Sequence, residues 1–281
     1  MEHGGPPAKT SPAAPTANPP RFALPTTANS NGAPPRPSLT QAKKQDEDRK
    51  ARLLRLNELY AQLDREGKLA DYAHGLEQSL SGDQTDRDSL EELCILFQSP
   101  MLRNPGKEFQ YLKSFVEYDK TNPTALLRLS QYEAKNRNTE TAFELASEAA
   151  RIHPERASAH RLDGAIFLNN SGDNARSAQL CEQIIQDPAA GARGLLYAGD
   201  QLAQLGRTDL ALQAYNQAAE RADQDNLRQR AQVGAYGIRV RTEGVDAVRT
   251  ELEALAKTGV TPLIQRQAQG ILTNHPTTSP Q

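Results

Sequence analysis

The sequence has no tryptophan, only two cysteines and two methionines, and aromatic residues fill 5% of its 281 positions. A compact core would be short of large side chains, and a mean hydropathy of −0.69 is low for one. Two cysteines make no disulfide scaffold. Cys94 and Cys181 lie 87 residues apart inside separate helical patterns, so two reduced thiols in a cytoplasmic protein are expected rather than a bridge. No run of about 18 apolar residues occurs, which excludes a helical membrane span. An excess of one charge is also lacking: 33 Lys and Arg stand against 35 Asp and Glu, a net of −2. No global basic field exists to gather nucleic acid or an anionic membrane surface. The opening residues MEHGGPPAKTSPAAP have no basic end followed by an apolar core, and no secretory signal is expected there.

Proline is concentrated at one end, with 10 of the 18 in residues 1–40, where Glu2 is the only acid. PPRFALPTTANSNGAPPRPS has no apolar period, so residues 1–44 are expected to be a disordered Pro/Ala-rich tail. From about Gln45 the pattern turns helical. Leu53, Leu56, Leu59, Tyr60 and Leu63 share one face of the first helix, with charge opposite. Gly67 stops it, and KLADYAHGLEQSLS, TDRDSLEELCILFQS and KEFQYLKSFVEYDK follow as helices, with Asp86, Asp88 and Glu91 suited to helix starts. No segment alternates with period two, so no strand is expected. Residues 45–122 read as degenerate helical hairpins.

After Pro123 the chain repeats itself. Small residues in first helices recur at Ser130, Gly164, Gly199 and Gly234, spaced 34, 35 and 35 apart. Small residues in second helices recur at Ala142, Ser177, Ala211 and Ala247, spaced 35, 34 and 36. Turns sit between them: NRN, SGD, LGR and TEG. Two series held in phase over four units mark a repeat array. Such arrays tolerate a polar composition, because each unit buries only its contacts with neighbours. Helices approach closely only where facing residues lack bulk. On this reading Gly199 meets Ala211 within one hairpin, and Ala218 lets the next hairpin nest.

These residues resemble the tetratricopeptide repeat, a helix-turn-helix of about 34 residues. Leu195, Ala198, Gly199 and Leu202 match its first helix, and Ala211, Tyr215 and Ala218 its second. The preceding units supply Leu126, Leu129, Ser130, Ala142, Ala146, Ala149 and Pro154, then Gly164, Phe167 and Pro188. Ser177 and Cys181 replace alanine and the aromatic there. In the last unit Gly234, Ala247 and Ala254 fit, while Glu251 replaces the aromatic. The resemblance implies an all-α fold: a right-handed superhelical array of antiparallel helix hairpins, with repeats over 123–258. Residues 259–281 would be a capping helix and a short disordered tail, Pro262 standing at a permitted helix start.

No constellation for chemistry stands out. His153 and His160 straddle Pro154 at a spacing that brings both toward one metal, but polar helix ends are commonplace. Cys181 has no paired histidine and fills a packing slot. GARGLLYAG follows no strand and cradles no phosphate. No catalytic role, metal or cofactor is expected. The resemblance places a concave groove on the first helices, lined by Leu127, Gln131, Arg161, Leu162, Leu168, Arg193, Tyr197, Asp200, Gln204, Tyr236 and Arg239. The family's clamp for an acidic C-terminal tail needs Lys, Asn, Asn, Lys and Arg or Lys. Here those places hold Leu127, Gln131, Leu162, Arg193 and Tyr197, so only Arg193 keeps the charge. The mixed groove suits an extended or amphipathic segment with some acidic character.

The expected function is thus a non-catalytic protein-interaction scaffold, such as an adaptor, assembly factor or secretion-type chaperone, with a protein or peptide partner. Alternatives are an RNA-binding helical-repeat protein and a helical enzyme with an unrecognised site. Outside residues 1–40 the chain holds 30 basic and 34 acidic residues, which argues against the basic stripe RNA requires.

Overall fold

The structure, a computed structural model, describes residues 39–80 and 86–275, without the side chains of 39–46 and Arg49. The tails expected to be disordered, up to residue 38 and from residue 276, lie outside the described residues. The described residues up to Arg49 and those from Lys50 onward belong to two separate units, and the packing below concerns the second.

The described residues contain thirteen α-helices and no strand. Helices α1 (Leu39–Arg65), α2 (Leu69–Ser79), α3 (Arg87–Gln98) and α4 (Pro105–Tyr118) precede the repeats. The repeats are the hairpins α5 (Pro123–Lys135) with α6 (Thr139–Ile152), α7 (Ala157–Ser171) with α8 (Asn174–Gln186), and α9 (Ala192–Gln204) with α10 (Thr208–Arg221). A fourth pairs α11 (Asp225–Glu243) with α12 (Arg249–Thr258), and α13 (Pro262–Asn274) follows. Helix α1 starts six residues ahead of Gln45. Gln41, Ala42, Lys43 and Lys44 are good helix formers that carry no apolar period, so a pattern search passes over them.

Local chemistry sets the boundaries. The Asn104 side chain accepts from Lys107 N at 3.1 Å and Asn122 from Ala125 N at 3.1 Å, each just ahead of a proline that opens the helix. Asp86 caps α3 by accepting from Ser89 N at 3.1 Å. Between paired helices of the repeats the chain reverses through a left-handed residue, Gly172 at φ 89° and Gly206 at φ 72°, with Arg137 at φ 67° in the same place.

Second helices bury an i, i+4, i+7 stripe: Ala142, Ala146 and Ala149; Ser177, Cys181 and Ile184; Ala211, Tyr215 and Ala218. In two hairpins the approach is close enough for a direct bond. Ser130 Oγ donates to Ala142 O at 2.7 Å, and Ser177 Oγ donates to Ala165 O at 2.8 Å. In the third hairpin the nearest neighbour of Gly199 is the Tyr215 ring. A Cβ on Gly199 would lie 2.8 Å from the Tyr215 ring, and one on Gly234 would lie 2.7 Å from it. Tyr215, one turn past Ala211, fills the room that two glycines on neighbouring first helices leave open.

The fourth hairpin corrects the register. Val248, Leu252 and Leu255 are buried, whereas Ala247, Glu251 and Ala254 are exposed. Helix α11 runs for 19 residues, and Gly244 with a 3-10 turn at Val245–Ala247 intervenes before α12. The buried stripe therefore starts one residue later. The position that spacing assigns to Glu251 belongs to Leu252.

Candidate functional site

The first helices α7 and α9 face each other across a depression of about 360 Å³. Its walls are the 3-10 turn Pro154–Arg156, Ser158, Ala159, Leu162 and Asp163 on one side, and Arg193, Gly194 and Tyr197 on the other. The connection holding Asp187, Ala189 and Gly191 completes it. The walls meet where a Cβ on Gly194 would stand 3.0 Å from Ser158 Cβ. Small residues thus bring α7 and α9 together at their beginnings.

Of the residues expected in the groove, the fold brings Leu162, Arg193 and Tyr197 together in this depression. Tyr197 is 39% exposed, and the Arg230 guanidinium lies 5.7 Å from its ring centroid. Gln204 is exposed farther along α9. Others are engaged inside the protein. Arg161 donates to Asp187 Oδ2 at 2.7 Å, and Gln131 accepts from Arg128 at 2.8 Å. Asp200 accepts from the Tyr215 hydroxyl at 2.8 Å, and burial raises its pKa above the ordinary carboxylate range. Arg239 pairs with Glu243 at 2.9 Å. Leu127 and Tyr236 are half-buried against core clusters.

Leu168 is a correction: it is fully buried, 0% exposed. A helix turns about 100° per residue, so the face of Leu162 continues at Ile166, which is 38% exposed. That four-residue step from Leu162 was the signal for Ile166. Pro154, Asp187 and Ala189 belong to a turn and a connection, and helix-face spacing does not reach them.

His153 and His160 do come together. His153 Nδ1 and His160 Nε2 are 3.0 Å apart, and His153 Nε2 is 2.8 Å from Glu155 Oε1. With both rings neutral, Glu155 fixes the Nε2 proton of His153, whose Nδ1 then accepts from His160 Nε2–H. Burial lowers the pKa of His160 to about 4, with His153 adding to the effect. Among the described residues no group of three or more His, Cys, Asp or Glu is placed to hold a metal ion. Cys181 is buried, and burial pushes its thiol up to about 12, so it is a poor nucleophile at neutral pH. No described helix is long and apolar enough to cross a membrane.

No protein-family model matches the sequence, and no curated protein does. Among solved structures, MamA is similar at 17% identity, covering 58% of this chain and 93% of its own, with a TM-score of 0.42. PilF of Pseudomonas aeruginosa is similar at 16% identity, covering 77% and 97%, with a TM-score of 0.40. Yeast Tom70 is similar at 12% identity, covering 74% and 59%, with a TM-score of 0.34. The fold assignment stands on this chain's own hairpins, with their 34- to 36-residue period and buried small-residue stripes.

Proposed function

We propose that this chain, whose residues 123–258 are tetratricopeptide-type hairpins, is a non-catalytic interaction scaffold in the cytoplasm. It would act as an adaptor, assembly factor or secretion-type chaperone. Its partner, a peptide or amphipathic helix of another protein, lies in the concave groove of the first helices. One observation carries this reading. Among the described residues of the repeats, the large apolar side chains left exposed are Ile166 and Tyr197, and both stand on first helices. Exposed aromatic groups beside arginine are common anchors of binding energy. The near balance of charge favours a protein partner over nucleic acid. Two unpaired thiols, Cys94 and Cys181, suit a reducing compartment.

The test is retention of partners from the native source by the intact chain and by Tyr197→Ala. A protein retained by the first and lost from the second is the expected result, with both forms melting within a few degrees of each other. Equal retention sinks the anchor. A variant that melts early, at a cost near the ~3–5 kcal/mol of a core aromatic deletion, makes Tyr197 a packing residue.

A further inference from the structure

Two guanidinium groups on the walls of the α7–α9 depression have nothing bonded to them. Arg156, in the 3-10 turn, and Arg193, in the first turn of α9, are exposed, and neither side chain has a hydrogen-bond or ion-pair partner among the described residues. Two of the three neighbouring acids are already engaged. Asp187 accepts from Arg161 at 2.7 Å and from Ala189 N at 2.9 Å, and Glu155 is bonded to His153 at 2.8 Å. Asp163 is the third. Burial raises its pKa, and Arg156 works against that rise. The same depression is lined by apolar groups, Pro154, Ala159, Leu162 and the Tyr197 ring.

Free cations beside apolar groups complement a carboxylate next to an apolar side chain. A chain terminus is a poor source of that carboxylate. Four of the five clamp places that would hold it carry Leu127, Gln131, Leu162 and Tyr197, which leaves Arg193 alone. We propose that the depression receives an internal Asp or Glu side chain of an extended partner segment, with a neighbouring apolar or aromatic residue packed on Leu162 and Tyr197. Arg193 binds the carboxylate, Arg156 supplies a second positive group, and Asp163 opposes it. This rests on the reading of the first-helix face as a peptide groove.

The experiment is selection of random dodecapeptides, displayed without free C-termini, on the full chain. One selected peptide, acetylated and amidated, is then titrated against variants. Selected sequences should be rich in Asp or Glu beside Leu, Phe or Tyr. Arg193→Glu should weaken binding at least about tenfold, and Asp163→Asn should tighten it by about threefold. Added salt should weaken it, because exposed charges are screened. Glutamate is welcome near a helix N-terminus, so Arg193→Glu should keep its melting temperature. If it does not, Arg193→Gln gives the same reading with a smaller loss. Peptides selected without acidic residues, or affinity indifferent to both substitutions, overturn the acidic partner and leave the groove standing. No selected peptide at all overturns both.

Discussion

The described residues of 50–122 and those of 123–258 are both helical, but long polar side chains tie the helices of the first at their flanks. Those of the second cross on small residues, with ties such as Arg161–Asp187 and Tyr215–Asp200 added beside the crossings. In the first region Arg52 reaches Glu91 at 2.9 Å, Arg87 reaches Asp119 at 2.8 Å and Lys107 reaches Glu77 at 2.7 Å. Phe97 stacks on Tyr111 at 5.8 Å. Helix α4 is tied to the first repeat in the same way, through buried Glu108, which accepts from Arg128 at 2.7 Å and from Tyr132. In the repeats, alanine, glycine and serine fill the crossings, and serine hydroxyls bond the facing backbone directly. Small residues let backbones approach and leave no room for change. Long polar ones hold helices at their flanks, where the sum of desolvation and attraction decides the gain.

The sharpest way to break this comparison is to add bulk. A Cβ on Gly164 would lie 2.4 Å from Ala146 Cβ and 2.9 Å from Leu180 Cδ1. Gly164→Leu should therefore cost about 3 kcal/mol or more, at the top of the overpacking range. Gly75, in α2, has no atom within 4 Å of an added Cβ. Gly75→Ala should stabilise by up to about 1 kcal/mol through helix propensity alone. Urea midpoints measure both, and a small loss at Gly164 would mean that the close crossing is absent.

Glu108 probes the other region. Glu108→Gln leaves Arg128 without its carboxylate and should cost about 2 kcal/mol, below the full penalty of a buried pair because Arg128 is 35% exposed. Replacing both, Glu108→Met with Arg128→Met, should recover much of that loss, since a pair exchanged for packed apolar groups is often neutral. A double-mutant cycle measures the coupling. Additive losses would show that the bond matters less than its place at the joint.

Acid should separate the regions as well. His160 is buried with a pKa of about 4, well below the 6.5 of a free histidine. The unfolded chain binds its proton first, so stability falls as pH drops below 6.5 until the folded pKa is reached. About 1–2 kcal/mol should go between pH 7 and pH 5. Burial acts to raise Glu77 and Asp119, yet hydrogen bonds bring both below their ordinary values, from Lys107 and Tyr111 for Glu77 and from Thr121 and Arg87 for Asp119. Their contribution is present above the unfolded carboxylate range and is lost only as pH falls through the folded values. Hydrogen-exchange protection, taken relative to the intrinsic rate at each pH, should therefore fall at pH 5 around α6 and α7 and stay unchanged around α3 and α4. A uniform fall refutes this.

The difference between the regions also explains what the sequence could show. Small residues recur at a period because any larger one collides, so Ser130, Gly164, Gly199 and Gly234 were legible by spacing. Their contacts were not. Gly199 opens toward the Tyr215 ring, and the length of α11 moves the last stripe to Val248. In 50–122 the joining groups are long and flexible and reach their partners from many spacings. Glu77 bonds residues 30 and 34 positions away, and no period records it. At the site, Leu162 and Tyr197 were legible because helix faces repeat. Arg161 and Asp200 are instead bonded to Asp187 and Tyr215 on other elements, which helix-face spacing does not record.

The smallest expected effect tests whether charge pairs matter within the repeats at all. Arg239 and Glu243 are four apart on α11, 2.9 Å from each other, and both side chains are about a third or more exposed. Such pairs stabilise an exposed helix by about 0.3–0.5 kcal/mol at most, because water screens the attraction and two flexible chains lose freedom. The orientation is also the weaker one, with the base ahead of the acid along the helix. Arg239→Ala removes the pair but puts the best helix former in its place, which offsets part of the loss. The urea midpoint should therefore move by less than about 0.5 kcal/mol equivalent, against several for Gly164→Leu. A loss above 1 kcal/mol at Arg239 would mean that the bond its guanidinium makes to Ala247 O, at 3.5 Å, holds the 3-10 turn ahead of α12. The joint between α11 and α12 would then depend on a long polar side chain as the first region does, and the comparison would lose its force there.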